Sequence, residues 1–246
     1  MNSPTACLII IGNEILSGRT QDKNIAWLAH ELNEAGVKLV EVRVIADSEA
    51  AIIATVNECR KQFTYLFTTG GIGPTHDDIT SDAIAKAFGL PLALDPKAEA
   101  ILEKHYGREN LNNARLKMAH VPKGAALIPN PVSAAPGFQV DNVYVMAGVP
   151  SIMQAMFDHI RPSLKGGAKT LSRSLSAYVT EGAIADSLTA LQQRHPEVEI
   201  GSYPFVRQKL GTSLVVRSTD KAALDATYAE LKALVLGFVD EIIEEA

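Results

Sequence analysis

The chain has 246 residues, enough for one large α/β domain or for a medium domain followed by a small one. Its hydrophobic fraction of 47% and charged fraction of 21% are those of a soluble globular protein, and no apolar run is long enough to span a bilayer. A net charge of -5 and a pI near 5.7 argue against a general nucleic-acid or anionic-membrane binder, so an anionic ligand has to be held by local donors or by metal.

The first apolar run, residues 6–11, contains no polar residue and ends at Gly12. Such a run suits a strand buried on both faces, as in a parallel sheet. Ile25, Leu28, Ala29, Leu32 and Ala35 then recur at helical spacing up to Gly36. Residues 37–46 are rich in β-formers, and 48–63 return to helical period through Ile52, Ile53 and Val56. Residues 65–67 predict a short strand feeding a glycine loop, and 79–88 a helix stopped by Gly89. Helices are expected near 96–106, 110–119 and 150–164, and strands at 126–128 and 143–146. Alternating helices and buried strands make a doubly wound, mostly parallel sheet.

The polar stretch Lys165-Gly166-Gly167-Ala168-Lys169 is the expected boundary, giving domains 1–168 and 169–246. Beyond it the pattern predicts strand 171–179, helix 181–193, strands 198–203 and 212–217, and helix 221–238. That order suggests a small α+β sandwich with its helices on one face. Cys7 and Cys59 have no metal-ligand spacing and sit in apolar settings. Buried free thiols fit a reducing compartment, and the N-terminus has no basic, export-type start, so a cytoplasmic location is expected.

The most informative segment is Thr68-Thr69-Gly70-Gly71-Ile72-Gly73-Pro74-Thr75-His76-Asp77-Asp78-Ile79-Thr80. Glycines directly after a strand let the backbone turn with positive φ and bring N–H groups close to a ligand. The next helix starts at the same place, so its free N–H groups and positive dipole end favour an anion. Asp77 and Asp78 would repel a phosphate unless a divalent cation bridges carboxylate and phosphate oxygens. The plainer reading, that Asp78 caps a helix and the glycines make a turn, leaves Pro74 and the second acid unexplained. Gly12-Asn13-Glu14 follows the first buried strand and lies at the carboxyl edge of the sheet, where open α/β folds bind ligands. Glu14 there can hold a metal, and Asn24 can bond a base or ribose, or equally cap the next helix. Asp47 reads on its own as a cap for the helix near Ser48. In residues 130–138, Ser133 can donate to phosphate, and Gly148 and Pro150 offer a further helix start to the same edge. No Gly-Lys-Ser/Thr run is present, so the loop is not a P-loop.

Together, Gly12-Asn13-Glu14-Ile15-Leu16, the Gly-Gly-x-Gly-Pro-Thr-x-Asp-Asp-x-Thr loop, Ala135-Pro136-Gly137-Phe138 and Gly148-Val149-Pro150 resemble the molybdopterin-binding domain of molybdenum-cofactor biosynthesis. Within it, the chain is most similar to the N-terminal part of competence-damage-inducible protein A. The resemblance covers about residues 5–165, and the tail after 170 looks like that subgroup's small second domain. It implies a three-layer α/β fold, a homo-oligomer (dimer or trimer) and a pterin- or nucleotide-binding edge made by Gly12, Asn13, Glu14, Asn24, Thr69, Gly70, Gly71, Gly73, Pro74, Thr75, Ser133, Gly137, Gly148 and Pro150. Asp47 and Asp78 match the aspartates that adenylyltransferase members use with Mg. The subgroup is instead linked to metal-dependent cleavage of dinucleotide pyrophosphates such as ADP-ribose, with FAD hydrolysed by relatives. The expected function is therefore a pyrophosphatase using a Mg- or Co-type ion, with Asp47 and Asp78 catalytic and Asp77, Asp78 and Glu14 at the metal. Molybdopterin is the other ligand implied, held without turnover or, in third place, adenylylated. Three departures bear on that choice: the pattern has Gly-Thr where this chain has Ser133-Ala134, proline where it has Ala147, and glutamate where it has Ile152.

Overall fold

In the computed structural model, which describes residues 3–207 and 209–245, the first apolar run becomes β1 (Thr5–Ile11), buried at every residue from Ala6 onward. A short helix α1 (Asn13–Leu16) and then α2 (Asn24–Glu34) lead to β2 (Lys38–Ile45). Next come α3 (Glu49–Gln62), β3 (Tyr65–Thr69), α4 (Thr80–Ala87), β4 (Leu92–Leu94), α5 (Pro96–Tyr106), α6 (Asn113–Lys117) and β5 (His120–Pro122). β6 (Ala126–Ile128), β7 (Gly137–Val140), β8 (Val143–Met146) and α7 (Pro150–Ile160) complete a first compact unit, Met1–Gly167.

The sheet of this unit runs β2-β1-β3-β8-β7-β6. Its β2, β1, β3 and β8 pairings are parallel, and the β8–β7 and β7–β6 pairings are antiparallel. Alternation along β1 divides the core. Leu8 and Ile10 pack with Leu28, Phe67 and Phe157 on one face, while Cys7, Ile9 and Ile11 pack with Ile52, Val56 and Ile84 on the other. Helices thus cover both faces in three layers, and each fully buried Leu, Ile or Phe contributes roughly 1.5–3 kcal/mol. Cys7 and Cys59 are free and buried in the second of these cores, and burial pushes the Cys7 thiol up to about 12. Register places Ile10 beside Thr69 and Thr69 beside Met146, and Ile11 pairs with Ile45. The segments after all four strands therefore leave from one edge.

Several elements differ from the sequence reading. The ribbon of β4 and β5 and the antiparallel β7 are additional strands. Residues 110–119 hold only the five-residue α6, preceded by a 3-10 turn at Arg108–Asn110. α7 ends at Ile160, and the chain tightens into a 3-10 turn at Arg161–Ser163, where Pro162 has no N–H to continue an α-helix.

The second unit, Ala168–Ala246, contains β9 (Leu171–Ala177), α8 (Glu181–Arg194), β10 (Glu199–Val206), β11 (Leu210–Ser218), α9 (Lys221–Leu236) and β12 (Ile243–Glu245). Its antiparallel sheet runs β10-β11-β9-β12, with Leu175, Leu214 and Val216 packed against Ile184, Leu191 and Leu231 of the two helices. β10 passes through Pro204, beyond the expected end at Tyr203. It is an edge strand, where a missing N–H leaves no ladder bond unmade. Among the described residues no helix is long and apolar enough to cross a membrane.

Candidate functional site

The glycine loop leaves β3 with two left-handed residues, Gly70 at φ 103° and Gly71 at φ 68°. A Cβ on Gly70 would lie 2.1 Å from the Ile11 carbonyl oxygen, and one on Gly71 would lie 2.2 Å from Thr80 Oγ1. Both positions therefore require glycine for conformation and for space. Thr80, fully buried, closes the loop: its N–H donates to Gly71 O and its hydroxyl to Gly70 O, both at 3.0 Å.

Asp78 does not cap α4, whose cap position is Ile79 with no side-chain bond. Instead Asp78 Oδ2 accepts from the Thr75 N–H at 2.8 Å and from the Thr75 hydroxyl. Asp77 Oδ1 accepts from the same hydroxyl at 2.5 Å. One hydroxyl proton is thus shared between two carboxylates, each of which also has a backbone N–H donor. The Thr75 hydroxyl, then a backbone N–H, then the charges of His76 and Lys117 hold the Asp77 carboxyl below the usual aspartate range. Lys117 Nζ donates to Thr75 O, which brings a cation from α6 to the loop.

Asp47 does not cap α3 either, since that position is Ser48. Its Oδ2 accepts from Asn13 N–H at 2.8 Å and joins the turn after β2 to the turn after β1. In the third loop, buried Asn130 makes four bonds. Its Oδ1 accepts from Val132 N and Ser133 N, and its Nδ2 donates to Ser133 Oγ and Ala135 O. This staple holds Ala134 at φ 66°, a left-handed conformation that costs a non-glycine residue about 1 kcal/mol or more.

These loops enclose a cavity of about 630 Å³, within the ordinary range for small-molecule sites. Glu14, Asp47, Gly70, Gly71, Gly73 and Pro74 line it, as do Thr75, Asp77, Asp78, Ser133, Gly148 and Pro150. The remaining residues expected at the site lie outside its wall. Gly12 and Asn13 form the turn that Asp47 ties, and Thr69 is buried in β3. Asn24 is the first residue of α2 and not its cap. Asp22 Oδ1 accepts from Asn24 N and Ile25 N, while buried Asn24 Nδ2 donates to Gly148 O at 2.9 Å. Asn24 thus acts on the cavity through the Gly148 turn. Gly137 is a packing residue of β7, where a Cβ would meet Val145 O at 2.4 Å. Tyr106, Met118, Asn130 and Ile152 also line the cavity. Chain distance hides the first three from the loop, and only packing of α5 and α6 brings Tyr106 and Met118 to it. Among the described residues no three His, Cys, Asp or Glu side chains group closely enough to hold a metal by themselves.

A doubly wound α/β unit with a ligand cavity at the carboxyl edge of its parallel strands is the class that fold and site define. The chain belongs to the molybdopterin-binding domain family: residues 7–166 match the domain described as "Probable molybdopterin binding domain". Residues 169–239 match the "FAD synthase, middle domain". A protein of Archaeoglobus fulgidus is 36% identical over 80% of this chain and 84% of its own length. A probable FAD synthase of Caenorhabditis briggsae is 28% identical over 96% of this chain, which spans 50% of that longer protein. The crystal structure of the protein CinA from Thermoplasma acidophilum, 34% identical, superposes with a TM-score of 0.62 over 66% of this chain and 99% of that one.

Proposed function

We propose that this protein is a divalent-metal-dependent pyrophosphatase that splits an adenine dinucleotide of the ADP-ribose or FAD kind. The observation that carries this reading is the set of carboxylates, Asp47, Asp77, Asp78 and Glu14, in one cavity with the glycine loop. Likeness to an FAD synthase supports a ligand with an adenine half and a pyrophosphate. The donors fit a metal that arrives with its substrate: Mg²⁺ uses one or two carboxylates and takes phosphate oxygens and waters for the rest, so three clustered acids are not required. When bound, such an ion supplies positive charge to the pyrophosphate and polarises it.

The chain's own groups do the remainder. N–H groups of Gly71 and Gly73, with the start of α4, receive phosphate oxygens. The Ser133 hydroxyl, oriented by Asn130, donates from the third loop. Asp78, with Asp77 or Glu14, would hold the ion. Asp47, on the β1–β2 side of the cavity, takes the proton of the attacking water, whose oxygen bonds to phosphorus as the bridging P–O bond breaks and the other phosphate leaves. Purified protein incubated with ADP-ribose or FAD and Mg²⁺ or Co²⁺ should release AMP. Absence of AMP with every metal, beside measurable ligand binding, overturns the reading.

A second reading is a module that holds a nucleotide or molybdopterin without cleaving it. It draws on the apolar wall at Ala147 and Ile152. Robust turnover by the unaltered chain ends it.

A further inference from the structure

Tyr106 is the last residue of α5 and lines the cavity well away from the glycine loop in sequence. Gly107, at φ 81°, turns the chain after it, and a set of polar contacts folds the next segment back. Asn110 Nδ2 donates to Tyr106 O at 3.1 Å, and Arg115 Nη1 donates to Asn110 O at 2.6 Å. Asn112 Oδ1 accepts from Arg115 N at 3.0 Å and caps α6. The outcome is a guanidinium seated over the Tyr106 ring, 4.3 Å from its centroid, while His105 meets the ring edge-on with centroids 4.7 Å apart. Arg115 takes one face of the ring, and the two contacts together hold the ring before any ligand arrives.

Met118 joins the cavity wall from just beyond α6. Its neighbour Lys117 ties the same segment to the glycine loop by donating to Thr75 O. A flat ring and a polarizable thioether are thus fastened to the element that offers anion donors. A phosphate site needs neither group. A ligand with a phosphate and a flat heterocycle uses both.

The geometry points to a ring subsite: Tyr106, backed by Arg115 and flanked by Met118, stacks the flat nitrogen heterocycle of a ligand whose phosphate lies on the Gly70–Thr80 loop. This rests on the proposed ligand class and not on its cleavage. Adenine and a flavin- or pterin-type ring share the chemistry, and stacking on one aromatic side chain changes affinity by about tenfold.

The test is calorimetric titration, with Mg²⁺ present, of AMP, FMN and ribose 5-phosphate, the last having the phosphate and no ring. Tyr106→Ala should weaken the ring-bearing ligand about tenfold and leave ribose 5-phosphate within about twofold, while Tyr106→Phe should match the parent. The AMP and FMN arms show which ring is preferred. If Tyr106→Ala does not fold, Tyr106→Leu, which keeps apolar bulk without a π face, makes the same comparison. The proposal is overturned if the parent binds AMP and FMN no more tightly than ribose 5-phosphate. It is also overturned if the Tyr106 variants lose all three equally, which would make Tyr106 a packing residue. None of these ligands carries a pyrophosphate, so failure of the pyrophosphatase reading leaves the result interpretable.

Discussion

The two sheets of this protein bury themselves in different ways. In the first unit, β1 is apolar at every position from Ala6 to Ile11 because helices cover both faces. In the second, β11 alternates, with Leu214 and Val216 buried and Val215 and Arg217 half-buried, because the helices lie on one face of an antiparallel sheet. The first arrangement forces parallel strands to end together and sends every following loop to one edge. Backbone N–H groups, a helix start and carboxylates collect there with no strand left to pair them. In the antiparallel sheet β9 and β10 end at one side and β11 at the other, so the connections are divided between two ends.

The largest effect is expected at the loop itself. Gly70→Ala forces a Cβ against the Ile11 carbonyl in a left-handed conformation, so it should cost about 3 kcal/mol or more and abolish AMP binding. Denaturant melts with titration of the surviving folded fraction measure both. Leu214→Ala is the matching lesion in the other unit, and removing that fully buried side chain should cost about 3 kcal/mol. Every residue lining the cavity belongs to the first unit, so AMP affinity should stay within about twofold of the parent. A tenfold loss would show that the site draws on the second unit.

A smaller effect sharpens the electrostatic part. The folded Asp77 carboxyl is held below its ordinary value, chiefly by the Thr75 hydroxyl. Its ionised form is therefore favoured by folding. That contribution is complete above the ordinary aspartate range and is lost as pH falls through the depressed folded value. Thr75→Val removes the donor, so Asp77 should titrate at higher pH and Mg²⁺-dependent binding should weaken earlier on acidification. Carboxyl chemical shifts followed from neutral pH downward check this, and an unmoved titration contradicts it. Smallest of all, Ala134→Gly relieves a left-handed alanine and should raise stability by about 1 kcal/mol without changing ligand affinity. A destabilised variant would mean that the alanine methyl packs more favourably than the strain it carries.

Much of the first unit is legible in the chain because its signals are local. The apolar run of β1, the helical spacing of Leu28 and Leu32, and the glycines after β3 each state their own role. β5 carries His120 and Pro122 and so offers no apolar run, and β7 opens on Gly137 and is hidden among turn residues. At the site, the glycine loop and its acids are visible as a motif, while the partners of those acids are not. Asp47 and Asp78 look like helix caps in sequence, yet Asp47 accepts from Asn13 in another loop and Asp78 from Thr75 within its own loop. Tyr106 and Met118 reach the cavity only through the fold of α5 and α6, and Asn24 works from beneath it through Gly148. These are long-range facts, and spacing does not encode them.

Under the proposed function, the carboxylates beside the glycine loop cleave a pyrophosphate that the loop binds. The most direct measurement is AMP release from ADP-ribose with Mg²⁺ or Co²⁺, comparing the parent chain with Asp78→Ala and monitoring AMP binding to both. Steady turnover by the parent and a loss of about 100-fold or more in kcat for the variant are expected, with the fold retained. A parent that binds AMP and releases none, or an Asp78→Ala variant that turns over at the parent's rate, would contradict it.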